Sequence, residues 1–242
     1  MTDTPYIELQ DITFHHRPNK PPLLQNLNLT VDERKIGLIG PNGSGKTTLL
    51  RIMVGLSRPT SGSILFRGEI IEKQQDFKQL RRETGFLFQH SDDQLFSPTV
   101  LEDVAFGPLN LGLTTEQAKE RAVATLEELG LSGFNNRITH NLSGGEKKLV
   151  AMATILAMKP SFLLLDEPTN NLDPETQSRL IGILHELNLP RIIISHDWDF
   201  LHETTDELYT IDNGKFLKCD EDHIHEHKHI HAYGDQPHHH KH

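Results

Sequence analysis

Gly40-Pro41-Asn42-Gly43-Ser44-Gly45-Lys46-Thr47 is the stretch whose reading decides the fold. Arg34–Gly40 is a short apolar run leading into it, and Leu49, Leu50, Ile52 and Met53 follow before Gly55. That order predicts a strand, a glycine loop and a buried helix. Gly40, Gly43 and Gly45 permit backbone conformations that side chains resist, so successive N–H groups converge on one point. Lys46 adds a fixed positive charge for the β- and γ-phosphates of a nucleotide, and the Thr47 hydroxyl is a ligand for Mg²⁺. Thr48 is expected to begin the helix, whose positive N-terminal end favours the same anion.

Working outward, Phe162-Leu-Leu-Leu-Asp166-Glu167 supplies a second half. Four apolar residues bury a strand and bring Asp166 to its carboxyl end, where ligands collect in open α/β sheets. Asp166 is the candidate to hold Mg²⁺ through its water shell. Glu167 is placed to polarise a water attacking the γ-phosphate. Gln89 closes the strand predicted at Gly85–Phe88, where its amide reaches metal and attacking water. His196 follows Ile-Ile-Ile-Ser at another strand end, and a neutral imidazole there donates to the γ-phosphate. Leu142-Ser143-Gly144-Gly145-Glu146 is a third element. Ser143-x-x-Glu146 has the form of a helix capping box, and capping leaves the Gly144 and Gly145 amides free at a helix N-terminus. The chain already has one phosphate loop, so the natural client of those amides is a nucleotide held by a second copy.

The rest of the chain organises around these pieces. Ile7–His16 alternates as a strand, Leu27, Leu29 and Val31 alternate in a second, and Ser63–Phe66 reads as a third. From about 92 to 150 helical periodicity and charge dominate, which marks an inserted helical subdomain. Within it, Thr114-x-x-Gln117 is a capping box, with Ala118, Ala122, Leu126 and Leu129 on one face. Strand-like Phe162–Leu165 and Ile192–Ser195 return to the sheet. Between them Asp173-Pro174 has N-cap and N1 character ahead of an apolar stripe, Leu180, Ile183, Leu184 and Leu187. Strands alternating with helices mean an α/β core with a mostly parallel sheet. The composition, 36% apolar and 24% charged, is ordinary for a soluble domain, so residues 1–218 are read as one large unit. A formal net charge of −10 argues against nucleic acid as a partner. The apolar stretch Leu149–Met158 is too short to span a bilayer, and the acidic N-terminus has no apolar secretion segment. These features predict a cytosolic protein whose membrane role comes through a partner. One cysteine, Cys219, excludes an internal disulfide framework.

The glycine loop, Gln89, Leu142–Glu146, Phe162–Glu167, Asn171-Leu172-Asp173 and His196 occur in the order found in ATP-binding-cassette (ABC) ATPases, and the chain resembles that family from about Ile7 to Phe216. The resemblance implies a P-loop nucleotide-triphosphatase fold with an antiparallel β subdomain and the inserted helical subdomain. It also implies a head-to-tail dimer that sandwiches ATP and Mg²⁺, with hydrolysis resetting the closed state. Asp173 then lies at the dimer interface near the opposite nucleotide, in addition to its N-cap role. Family members place an aromatic residue in the first strand region to stack on adenine; Phe14-His15-His16 puts His16 there, a smaller ring. His90-Ser-Asp-Asp-Gln-Leu-Phe-Ser-Pro-Thr-Val100 and Asp103–Pro108 look like the ATPases of energy-coupling-factor transporters, and Leu142–Val150 is similar to their cobalt and nickel members. In such systems two ATPases drive a transmembrane coupling protein that works with a substrate-binding membrane subunit, at the cytoplasmic face of the membrane. The region after Gln89 is where coupling helices would be received.

Residues 219–242 carry almost no apolar content and are expected to be a disordered tail. His223, His225, His227, His229 and His231 alternate, so an extended backbone puts these imidazoles on one side, and imidazole suits Ni²⁺ and Co²⁺. Competing readings are an importer ATPase for a vitamin or another metal, a soluble nickel-handling GTPase, and a soluble ABC protein of translation or repair. The GTPase reading needs a guanine-reading Asn-Lys-x-Asp, and Asn19-Lys20 is followed by Pro21-Pro22. The last needs paired cassettes or long insertions, which the chain lacks.

Overall fold

A computed structural model of the chain describes residues 4–17 and 19–219. Residues 220–242, with the five alternating histidines of the tail, lie outside the described residues. In chain order the elements are β1 (Ile7–Phe14), β2 (Leu24–Val31), β3 (Lys35–Ile39), α1 (Lys46–Met53), β4 (Ser61–Phe66), β5 (Glu69–Ile70), α2 (Asp76–Glu83) and β6 (Thr84–Leu87). There follow α3 (Val100–Asn110), α4 (Thr115–Glu128), α5 (Gly144–Leu156), β7 (Phe162–Asp166), α6 (Pro174–Leu187), β8 (Arg191–Ile194), α7 (Trp198–Thr204), β9 (Glu207–Asp212) and β10 (Lys215–Lys218).

Two sheets form. One has the order β2-β1-β4-β5 and is antiparallel throughout. The other has the order β10-β9-β3-β8-β7-β6 and is parallel except at the β9–β10 hairpin. The predicted α/β class with a mostly parallel sheet and an antiparallel β layer is the observed architecture. Side-chain parity explains why β7 is apolar without alternation. Phe162 and Leu164 belong to one core cluster, with α1 and the antiparallel sheet, while Leu163 and Leu165 belong to another, with α3, α4, α5 and α6. A strand buried on both faces has no polar side to show. The two cores fix β7, and β7 carries Asp166 and Glu167 to the sheet's carboxyl edge.

The helical segment is held by local chemistry. Thr99, Thr114 and Ser143 each close a complete capping box, with Glu102, Gln117 and Glu146 respectively. Asp173 caps α6 by accepting from the Thr176 N–H at 2.9 Å, with Pro174 opening the helix. The Ala118, Ala122, Leu126 and Leu129 face of α4 is buried as its spacing predicts. Several boundaries differ from the sequence reading by one or two residues: β1 ends at Phe14 rather than His16, β6 at Leu87 rather than Phe88 and β8 at Ile194 rather than Ser195, while α1 begins at Lys46, with Gly45 at the N-cap, so Thr48 lies inside the first turn. Cys219 packs half-buried against the larger core, its N–H bonded to the Leu208 carbonyl at 2.9 Å.

Candidate functional site

Three segments meet at the carboxyl edge of the parallel sheet around a cavity of about 300 Å³. Its walls come from the glycine loop and α1 (Asn42, Gly43, Gly45, Lys46, Thr47, Thr48), from Gln89, and from Asp166 and Glu167, with His16 at the rim. These sequence-predicted residues, scattered over about 150 positions of chain, are brought together at one edge of the sheet, where β3, β8, β7 and β6 are neighbours in that order.

The loop's conformation is the one the glycines permit. Gly40, Gly43 and Gly45 have φ of 132°, 81° and 110°. Gly45 supplies no side-chain cap, so the opening amides of α1 are left to a ligand. Lys46 is buried, and its Nζ donates to the carbonyls of Gly40 at 2.6 Å and Pro41 at 2.9 Å. Burial lowers its pKa, opposed by the charges of Glu167 and Asp166.

The carboxylates sit in a strained and unsatisfied setting. Asp166 and Glu167 are 2% and 4% exposed, and Glu167 adopts a left-handed φ of 49°. Its N–H bonds the Ile194 carbonyl at 2.9 Å, so the strain is held by the neighbouring strand. Burial and the Asp166 charge push Glu167 up to about 7, while burial raises Asp166, opposed first by the Thr47 hydroxyl and then by Lys46. Asp166 Oδ1, Glu167 Oε2 and Ser44 Oγ are buried without a hydrogen-bond partner among the described residues. Unpaired buried oxygens carry a penalty of about 1–3 kcal/mol each, more when charged. Asp166 and Glu167 line the cavity, and hard carboxylate oxygens with free lone pairs suit Mg²⁺, so the donor set fits the ion.

His196 lies beside this pair, its Nε2 3.1 Å from Asn42 Oδ1 and 3.2 Å from Glu167 Oε1. The ring thus spans the loop and the glutamate rather than standing alone at its strand end. The Ser143–Gly145 edge and Asp173 are absent from the cavity wall. They adjoin each other instead: Ser143 Oγ accepts from the Glu146 N–H at 3.3 Å, and a Cβ at Gly145 would lie 3.7 Å from Asp173 Oδ2.

Sequence reasoning missed Lys148. It is 4% exposed on α5, and its Nζ donates to the Gln89 carbonyl at 2.8 Å, with the Phe88 and Glu167 carbonyls at 3.5 Å. Burial brings its ammonium down to about 8. The available signal was a lysine followed by the fully apolar run Leu149-Val150-Ala151-Met152. Gln94 was missed as well: its Oε1 accepts from the Phe88 N–H at 3.2 Å, and its amide donates to Ala151 and Thr154 on α5. Beyond it, an apolar groove of about 290 Å³ runs past Phe86, Phe88, Phe96, Phe106 and Met158. Phe96 is 66% exposed and stacks edge-on against the exposed Phe106 at 4.8 Å.

A strand–glycine loop–helix opposite a buried Asp-Glu pair defines a P-loop nucleoside triphosphatase. The sequence profile of the family described as "ABC transporter" matches residues 24–170, more than half of the chain. The energy-coupling factor transporter ATP-binding protein EcfA of Methanothermobacter thermautotrophicus is 44% identical over 216 residues, 87% of this chain and 69% of its own. Among solved structures, cbiO1 of Clostridium perfringens, described as part of the ABC transporter complex cbiONQ, superposes with a TM-score of 0.79 at 31% identity, covering 93% of this chain and 92% of that one. The ATP-binding cassette MJ0796, a dimer in a post-hydrolysis state bound to ADP and Pi, superposes with a TM-score of 0.80 at 26% identity, covering 88% and 98%. The chain belongs to the ABC transporter ATPases: it binds ATP and couples its hydrolysis to transport. Among the described residues no helix is long and apolar enough to cross a membrane.

Proposed function

We propose that the chain is the energising ATPase of a nickel or cobalt importer of the energy-coupling-factor type. It works as one of a pair of ATPase subunits docked on a transmembrane coupling protein at the cytoplasmic face of the cell membrane, beside a substrate-binding membrane subunit. The observation that carries the ATPase half of this reading is the pair of orphaned buried oxygens on Asp166 and Glu167, two residues that line the glycine-loop cavity. The transporter type is supported by the relatives named EcfA and cbiO1 and by the segments 90–108 and 142–150.

The residues divide the work. Gly40, Pro41, Asn42, Gly43, Ser44 and Gly45 wrap the phosphates with backbone amides, Lys46 neutralises them, and Thr47 and Thr48 stand in the first turn of α1. His16 meets the adenine. Thr47, Asp166 and Gln89 would hold Mg²⁺, which would supply positive charge against the phosphate oxygens. Glu167 takes the proton of the attacking water, and its raised pKa suits a base working near neutrality. His196 keeps Glu167 oriented and donates toward the γ-phosphate. Ser143, Gly144, Gly145 and Asp173 complete the site of the second subunit. The groove at Phe96 and Phe106 is the docking face for the membrane partner, because an exposed aromatic pair needs an apolar cover. His223, His225, His227, His229 and His231 loosely hold the transported metal.

Two measurements test the reading. Uptake of labelled Ni²⁺ and Co²⁺ by cells producing the chain with its co-purifying membrane subunits should fall to background with Glu167→Gln. Uptake of neither metal, with uptake of another substrate intact, would replace the metal assignment. Calorimetric titration of Ni²⁺ into the full chain and a variant ending at Lys218 should differ by at least one site; equal stoichiometries remove the tail from the mechanism.

A further inference from the structure

Lys148 is a buried cation that none of the roles above employs. Its ammonium faces backbone carbonyls: Gln89 at 2.8 Å, with Phe88 and Glu167 at 3.5 Å. Those carbonyls belong to the two segments that carry the attack machinery. The side chain rises from α5, one turn after Gly144, and residues four apart lie on the same helix face. One helix therefore presents the serine-glycine edge at its start and grips the Gln89 and Glu167 peptides a turn later. At Glu167 the grip is shared with the Asn170 N–H, which lies 3.4 Å from the same carbonyl, but Asn170 is not on α5. Lys147 reaches Asp92 at 2.6 Å and Gln94 ties Phe88 to Ala151, yet neither contacts Glu167. Glu167 holds a left-handed backbone that its side chain disfavours, with its N–H fixed by Ile194 and its carbonyl accepting from the Asn170 N–H at 3.4 Å and the Lys148 ammonium at 3.5 Å.

We propose that Lys148 is a positioning residue, which ties the edge that completes the neighbouring site to the Gln89 and Glu167 backbone of its own. Engagement of α5 by the partner's nucleotide is thereby transmitted to the local water-activating glutamate as a displacement of its peptide. The proposal rests on the assignment of Glu167 as the water-activating group.

The test is steady-state ATPase kinetics on Lys148→Met, which keeps the apolar stem and removes the donors, and on Lys148→Gln, which keeps an amide donor. For Lys148→Met the expected result is kcat lower by about tenfold or more with KM within about threefold, since sub-ångström misplacement of a reacting group is costly. Lys148→Gln should fall between it and the parent. In a Glu167→Gln background the further loss on adding Lys148→Met should shrink to less than about threefold, the coupling expected of groups acting as one unit. An unchanged kcat, parallel changes in kcat and KM, or a full-sized loss in the Glu167→Gln background overturns the proposal. So does failure of both variants to fold, which would make Lys148 a purely structural group. If Glu167→Gln alone keeps parental turnover, the assignment of Glu167 fails instead, a separately readable result.

Discussion

The two glycine-bearing segments of this subunit obey different rules. At the phosphate loop, Gly45 sits at φ 110°, and a Cβ there would meet Leu24 at 2.8 Å, so the chain's own backbone and packing demand glycine. At the serine-glycine edge, Gly144 lies at the start of a helix in an ordinary conformation, and a Cβ there would meet open space. A helix start gains from almost any other residue, because glycine costs about 1 kcal/mol relative to alanine. Nothing inside the subunit requires Gly144, which points the requirement outward. The carboxylates follow the same division: Asp166 and Glu167 keep unsatisfied oxygens, whereas Ser143 and Glu146 satisfy each other. One segment waits for a ligand of its own; the other offers backbone amides to a ligand held elsewhere.

The largest expected effect separates binding from chemistry at the first segment. Glu167→Gln should bind ATP like the parent and hydrolyse it about 10²–10⁴-fold more slowly, the usual contribution of a general base. With hydrolysis blocked, ATP-dependent dimers should accumulate on size-exclusion chromatography, because both segments then close on an intact nucleotide. Turnover within twofold of the parent would remove Glu167 from the mechanism.

The next two effects set the glycines against each other. Gly45→Ala should destabilise the isolated subunit by about 1–3 kcal/mol in denaturant titration, through left-handed strain and the Leu24 contact, and should weaken ATP binding. Gly144→Ala should leave stability within about 1 kcal/mol of the parent and ATP binding by the isolated subunit unchanged. Its turnover should nevertheless fall about tenfold, as expected when a methyl blocks a charge-assisted hydrogen bond. Parental turnover in Gly144→Ala would break the contrast, since the edge would then serve no nucleotide.

How far this architecture can be read in advance depends on how local its causes are. The strand–loop–helix at 34–55 is legible because φ-permissive glycines and an apolar helix are local facts. The capping boxes at Thr114 and Ser143 and the cap at Asp173 are legible for the same reason, each being a three-residue hydrogen-bond pattern. The segments passed over lack such marks. α2 is short and strongly polar, with Phe77 and Leu80 its buried residues, and α7 spans only Trp198–Thr204. β9 depends on a parallel partner, β3, about 170 residues away. The site was legible where residue type names the chemistry, as at Lys46, Asp166 and Glu167. Lys148 was hidden because its task is set by carbonyls distant in sequence, which no spacing rule encodes.

The smallest effect sharpens the claim that the edge is self-sufficient. Glu146 Oε2 accepts from the Ser143 N–H at 2.8 Å, and Oε1 accepts from Arg137 at 2.7 Å. The Arg137 guanidinium first, and the Ser143 N–H second, hold the Glu146 carboxyl below its ordinary value. A depressed carboxylate contributes stability that is fully present above its unfolded pKa of about 4.3 and is lost as pH falls through its folded pKa. The pair is open to water, with side chains 40% and 30% exposed, so screening limits its worth to about 0–1 kcal/mol. Glu146→Gln keeps an acceptor for the Ser143 N–H and loses the charge pair. Its melting temperature should therefore fall by no more than about 4 °C at pH 7, and the gap should close as pH drops below about 4. Raising the salt concentration at pH 7 should narrow the same gap, as it must for an exposed pair. A gap of constant size across pH and salt would show that geometry rather than charge holds the edge in place. The amides of Gly144 and Gly145 would then owe their presentation to the capping box alone.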